Sequence, residues 1–498
     1  MHRRRRALAD WLAAGVIGAL VFAWFGHAFL NYDTLYALVW GGDLAHGRTP
    51  QYSVPVAPTP HPLAELIGFV LTPFGAAAED LMLGLGLLGL GMLVVGLFRL
   101  GHELFGVWVG IAAAAILLTR VPILNFGIRG YVDLPTCAFV VWAAVLEARQ
   151  PRRGAPVLIL LGLAGLLRPE AWLYAAAYCL WLLVDPVRRD RGSEPASVRT
   201  PRVGGDTGSD PLSPPAGGRR RAIRLIALAA AAPLIWMASD LLITGNPLHS
   251  LTGTHDLAAA LGRKTGISAL PEVAPRRLGE ILRLPELLAA VAGFAFGLAW
   301  MRERVRLPLA IAVLNGLAFT AFAIAGLPLL GRYLFVAASM LALLAGLGAL
   351  GWTALPRDHP GRRAWTAVGT AVLLAIVAFF PLQQVDRLDA LKADIAARDR
   401  IQADLRELVQ RPNVKTALRA CPRVLVPTHR LVPLIALWAD VRPQRIVTSR
   451  SFGGGCVVFP ATAEVAKLAV LDPNEPGASL GSYRGRVDVR NRSWLFTG

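Results

Sequence analysis

The sequence predicts an all-α polytopic membrane protein with a small α/β domain at its C-terminal end. Three observations carry that expectation. Runs of Leu, Ala, Val and Gly recur at lengths that cross a bilayer core. Hydrophobic residues make up 55% of the 498 and charged residues only 17%, with a mean hydropathy of +0.50. A soluble chain of this length divides into several cores and carries more charge. The net charge of +18 comes from arginines clustered between the apolar runs. That is a topology pattern rather than a nucleic-acid footprint, so no nucleic-acid partner is expected.

The first apolar run, 7–30, follows the four arginines Arg3 to Arg6. It opens like a signal peptide, but no small-residue cleavage site follows, and it reads as an uncleaved anchor. Further spans are expected at 81–100, 105–118, 134–146, 157–167, 171–184, 223–243, 287–301, 307–325, 333–351 and 366–381, about eleven in all. The stretch 61–74 is apolar but interrupted by proline, which suits a helix lying at the interface. Residues 185–222 are rich in Pro, Gly, Ser and Arg without periodicity and read as a disordered cytoplasmic loop.

Arg3–Arg6, Arg99, Arg149, Arg152, Arg153, the 188–224 loop, Arg302, Arg304, Arg306, Arg357, Arg362 and Arg363 fall on one side of this plan. The positive-inside rule makes that side cytoplasmic, despite a basic outer loop at 246–285. The expectation is a multi-pass protein of the cytoplasmic membrane, N-terminus inside, in contact with membrane lipid. The membrane domain covers 1–382. Residues 383–498 form the extracytoplasmic domain, with an amphipathic helix over 385–409, strands near 423–427, 445–448 and 453–459, and a helix over 431–439. Cys421 and Cys456 are its only cysteines. In an oxidising compartment they can pair; otherwise they are two buried thiols.

This orientation puts Asp33, His61, Arg129, Asp133, Arg168, Glu170, His249, His255, Arg332 and Tyr333 at outer helix ends or in outer loops. Ionisable groups at such depths are costly unless they line a polar cavity. Each also has a plain reading. Asp33 can simply end the first span, and Asp43 can be a solvated helix residue. Arg168 and Glu170 can pair with each other across a hairpin. Arg332 and Tyr333 can be interfacial anchors. The histidines lack metal-ligand spacing, and no structural zinc is expected.

The ordered features resemble the GT-C glycosyltransferases, integral-membrane enzymes that take sugars from polyprenyl-phosphate carriers. They are D-x-x-Y at Asp33 and Tyr36, then Gly41, Gly47, Arg48, Pro50 and Tyr52, and His61-Pro62. Gly130 to Pro135, Gly165 to Glu170, Gly245 to Leu248 and Gly331-Arg332-Tyr333 complete the set. The likeness runs from Ala7 to about Pro381 and is nearest the bacterial mannosyl-, arabinosyl- and aminoarabinosyl-transferases. It implies transfer of a hexose or pentose from a polyprenyl-phosphate sugar, with inversion, to a hydroxyl on a glycan, lipid or protein at the outer membrane face. Such an enzyme needs a base for the acceptor hydroxyl and cations for the departing phosphate. Asp33 is the expected base and Glu170 its competitor. Arg332, Tyr333 and Arg168 are the expected phosphate binders, with His61, Asp43, Asp133 and His249 as further cavity candidates. The lipid-phosphate sugar is a co-substrate and no other cofactor is expected. Many relatives pair two acids in the first loop, whereas Asp33 has no acidic neighbour before Asp43, which leaves a divalent metal open. Two rivals remain. A flippase or transporter of lipid-linked sugars would put charges near mid-membrane and often show internal repeats with broken helices, neither of which stands out in the sequence. A lipid-linked oligosaccharide polymerase or ligase would also work at the outer face.

Overall fold

The computed structural model describes residues 2–192, 216–448, 455–469 and 485–498. Its first helix, α1 (His2–Phe25), is followed by α2 (Tyr32–Ala45) and α3 (Pro62–Leu71), which lie against each other. They cross on glycine. A Cβ on Gly41 would sit 2.4 Å from the Phe69 nitrogen, and one on Gly68 would sit 2.3 Å from the Ala37 carbonyl oxygen. Only hydrogen at both positions lets the backbones approach this closely.

The bundle continues with α4 (Ala77–Phe105), α5 (Val107–Leu118), α6 (Val121–Ile128), α7 (Asp133–Arg149), α8 (Ala155–Leu167), α9 (Ala171–Gly192), α10 (Ala216–Thr244), α11 (His249–Ala260), α12 (Leu270–Trp300), α13 (Arg302–Ile324), α14 (Phe335–Leu350) and α15 (Arg362–Phe380). Among the described residues, seven helical stretches are long and apolar enough to cross a membrane, eight if the bent pair α5–α6 counts as one span. Of the expected eleven, 134–146, 157–167 and 171–184 lie in helical stretches that do not meet that test of length and hydropathy. The stretch around α14 is the centre of the bundle, 89% buried, whereas that of α10 is 17% buried and faces outward.

Two spans are broken. The axes of α5 and α6 meet at 69°. Helix α12 is interrupted at Arg283, whose φ of 69° places it in the left-handed region, just before Pro285. At these breaks Arg120 donates to Glu286 at 2.7 Å and to the Leu282 carbonyl at 3.1 Å, all within the protein. The exposed carbonyl of the broken helix and a buried carboxylate thus share one cation.

The ends of the expected 185–222 loop are helical, since α9 runs to Gly192 and α10 starts at Ala216. Residues 193–215 lie outside the described ones.

Helix α15 passes through a π-turn, Pro381–Val385, into α16 (Asp386–Gln410), which starts the C-terminal module. There follow α17 (Pro412–Ala420), β1 (Val424–Leu425), α18 (Val432–Ala439), β2 (Ile446–Val447), β3 (Cys456–Pro460), α19 (Ala463–Ala469), β4 (Val489–Arg490) and β5 (Trp494–Thr497). The sheet order is β2-β1-β3-β5-β4. β1 runs parallel to both its neighbours, and β5 is antiparallel to β3 and β4. Cys421 and Cys456 form a disulfide with Cα atoms 5.9 Å apart. The module is not a free-standing body. Leu405, Val424, Leu434, Ile435 and Trp438 share one core with Tyr32, Tyr36 and Trp40 of α2. Trp438 donates to Glu79 at 3.0 Å and Arg406 lies 3.4 Å from the same carboxylate, so α4 holds the module as well.

Candidate active site

The Asn31-Tyr32-Asp33-Thr34 sequence is a helix start. The Asn31 side chain accepts from the backbone nitrogens of Asp33 and Thr34 at 2.8 and 3.3 Å, the normal capping arrangement. Asn31 is itself fixed, its backbone nitrogen donating to the Arg129 carbonyl at 2.8 Å, and Thr34 donates to the Gly130 carbonyl at 2.8 Å. Asp33 therefore sits in the first turn of α2, where the helix dipole favours a carboxylate, on a backbone tied to the start of α7.

Arg332 arrives from the single 3-10 turn Gly331–Leu334 ahead of α14. It donates to Asp33 at 3.0 Å, with both side chains mostly buried. Arg168 ends α8. It donates to Glu170 at 3.0 Å, lies 3.4 Å from Asp133, and places its guanidinium 4.5 Å from the centre of the Tyr333 ring. Arg332 lies over the same ring at 5.7 Å. Two cations thus share the face of Tyr333, each anchored on its outer side by acids.

Asp33, His61, Arg168, Arg332 and Tyr333 line one cavity of about 360 Å³ at one end of the bundle. Burial pushes the Asp33 carboxyl up, but the facing Arg332, with Arg168 behind it, outweighs burial and holds it below its ordinary value. Burial, reinforced by Arg168, pushes His61 down to about 4, so it is neutral at pH 7 and adds little positive charge. Its Nδ1 is buried without a partner.

No family model and no curated protein sequence matches the chain. Solved structures do. The oligosaccharyltransferase AglB of Archaeoglobus fulgidus, in complex with an inhibitory peptide and a dolichol-phosphate, matches 95% of this chain and 72% of its own length, at TM-score 0.50 and 11% identity. ArnT of Cupriavidus metallidurans in the apo state matches 98% of both chains at TM-score 0.48 and 15% identity. The chain has the GT-C fold.

Within this GT-C fold the other sequence-predicted residues fall outside the cavity lining. Glu170 and Asp133 sit behind Arg168 in a small void inside the bundle with Tyr174 and Asn315. Both acids lie against Arg168, Asp133 at 3.4 Å and Glu170 at 3.0 Å, where they hold the arginine. Asp43 is turned away and pairs with Arg48 at 2.9 Å. His249 stacks at 6.2 Å on Tyr52, the end of an aromatic row that runs Tyr32, Tyr36, Trp40, Tyr52. Tyr36 of the D-x-x-Y motif is a fully buried member of that row.

Several lining residues were not singled out from the sequence. Arg263, Arg277 and Glu280 come from the region around α12, and Tyr131 from the turn before α7. Arg277 packs on Gly331, beside Arg332. The basic composition of 246–285 is the sequence signal that could have pointed to these cations. His429 and Arg430 come from the C-terminal module. Tyr32 meets both, with its ring 4.8 Å from that of His429 and 5.9 Å from the Arg430 guanidinium. Nothing local marked that pair. Among the described residues no three His, Cys, Asp or Glu side chains gather as a metal cage.

Proposed function

We propose that the chain transfers a sugar from a polyprenyl-phosphate donor to an acceptor hydroxyl at the membrane surface. The observation that carries this reading is the Asp33–Arg332 pair, a carboxylate and a cation 3.0 Å apart in a cavity at the end of an apolar bundle. The oligosaccharyltransferase with the same fold was solved with a dolichol-phosphate, which supports a lipid-linked donor here. Asp33, His61, Arg168 and Arg332 gather in one cavity at a bundle end, and that clustering supports an enzyme over a transporter even though α5–α6 and α12 are broken.

In this mechanism the donor phosphate lies against Arg332 and Arg168, over Tyr333. Both guanidiniums can donate two hydrogen bonds to phosphate oxygens as the anomeric carbon–oxygen bond breaks and charge collects there. Asp33 takes the proton of the acceptor hydroxyl as its oxygen forms the new bond to the anomeric carbon. The phosphate couples the two roles. It draws on the Arg332 charge that otherwise holds Asp33 acidic, so a bound donor makes Asp33 a better base than it is in the empty site. The isoprenoid tail stays in lipid throughout. The outer face of the cytoplasmic membrane is the proposed location, with the N-terminus inside.

A purified-protein assay with a panel of polyprenyl-phosphate sugars tests the reading. Sugar transfer or slow release to water from at least one donor, lost in Asp33→Asn, is the expected result. A protein that binds every donor and turns none over would overturn it.

A further inference from the structure

A second and larger cavity, of about 640 Å³, runs along the outside of the bundle between α1 and α4 on one side and α7 and α8 on the other. It is lined over the whole of α7, from Tyr131 and Pro135 through Phe139 and Trp142 to Leu146 and Arg149. Seventeen residues of helix give it a length of about 25 Å, close to the thickness of a bilayer core. A slot this long and apolar suits extended hydrocarbon.

Its charged residues all lie at one end, the end opposite the Asp33 cavity. They are Arg6, Asp10, Arg149 and Arg153. Asp10 is taken up by Arg99, whose Nε donates to it at 2.7 Å, and Arg149 by Glu103 at 2.8 Å. Arg6 and Arg153 have no ion pair among the described residues. Among the described residues the mouth therefore keeps two cations without a paired acid, with an apolar slot leading away from them.

We propose that this groove binds one anionic glycerophospholipid, with its phosphate between Arg6 and Arg153 and an acyl chain along α7. Basic pockets between spanning helices recognise acidic headgroups by this combination. The donor lipid fits poorly, because its phosphate must reach Arg332 at the other end of the bundle while the cations of the groove would go unused. The site is independent of the proposed transfer reaction and stands or falls without it.

The test is native mass spectrometry of the delipidated full-length protein with phosphatidylglycerol or phosphatidylcholine of the same acyl chains. One phosphatidylglycerol per chain is expected, held roughly ten- to thirtyfold more tightly than phosphatidylcholine, as two arginines imply. Arg6→Gln with Arg153→Gln should erase the preference. Both positions are at the surface, so folding is unaffected, and gel filtration checks that. Ala138→Trp should block the slot to either lipid. Equal retention of the two lipids, or an unchanged preference in the double variant, overturns the proposal. So does displacement of phosphatidylglycerol by polyprenyl phosphate, one for one, since the groove would then belong to the donor tail.

Discussion

Arg332 meets Asp33 at 3.0 Å although 299 positions separate them in the chain. The contact joins the first turn of α2 to the turn ahead of α14. It couples base strength to cation position, and the first expectation follows from it. Asp33→Asn keeps the shape and removes the basicity. It should lower turnover about a hundred- to ten-thousandfold with donor still bound. Arg332→Ala should instead weaken donor binding and turnover together, since it removes a charge facing the phosphate. Paired measurements of kcat and KM separate the two. Near-normal turnover in Asp33→Asn would remove it as the base.

Glu170 holds Arg168 and does not line the cavity. Glu170→Gln should therefore act through the arginine, raising donor KM by roughly ten- to a hundredfold, the worth of one charge-assisted hydrogen bond. Turnover at saturation should change far less than in Asp33→Asn. Abolished turnover with unaltered KM would make Glu170 the base instead.

Glu65 gives a pH-dependent stability. It accepts from the Tyr52 hydroxyl at 2.5 Å and the His61 backbone nitrogen at 3.2 Å, and burial raises its pKa to about 7. The folded state then holds a proton that the unfolded chain has lost above about pH 4.5. Its contribution is full below that pH and is lost as pH rises through about 7. Thermal unfolding in detergent should show a decline between pH 5 and 7 that Glu65→Gln flattens. Identical pH profiles for the two proteins would refute the assignment.

The Arg120–Glu286 pair joins two broken helices inside the protein. Arg120→Met leaves a buried carboxylate and should cost about 3–5 kcal/mol. Replacing both, as Arg120→Met with Glu286→Leu, should recover much of that loss. The check is thermal stability of the three variants. A double variant no better than the single would mean that the Leu282 carbonyl, not the charge pair, is the element that matters.

Gly68 supports α3 against α2. Gly68→Leu should separate the helices and move Asp33, lowering both stability and activity, whereas the neighbouring exposed Phe69→Leu should be near neutral. Equal effects at the two positions would show that the crossing does not carry the site.

The sequence by itself determined the membrane class, the placement of charged residues at helix ends and the broad order of the C-terminal strands. Those features are local. Hydrocarbon demands long apolar helices, and a strand or an interface helix shows its period within ten residues. Local signals also marked Asp33, Arg168 and Arg332, because charge beside an apolar run is conspicuous. What only the tertiary structure decided was which of these charges face each other. Asp133 and Glu170 read like Asp33 in sequence, yet Arg168 turns them into its own support. Asp43 looked equivalent and pairs with Arg48 instead. His429 and Arg430 carried no signal, since they reach the cavity only because the C-terminal module shares a core with α2. The length of each helix is set by its surroundings in the same way. Short or broken helices such as α8 and α12 are stable inside the bundle because neighbouring helices and the Arg120 side chain satisfy their freed backbone groups, and that compensation leaves no trace in local hydropathy.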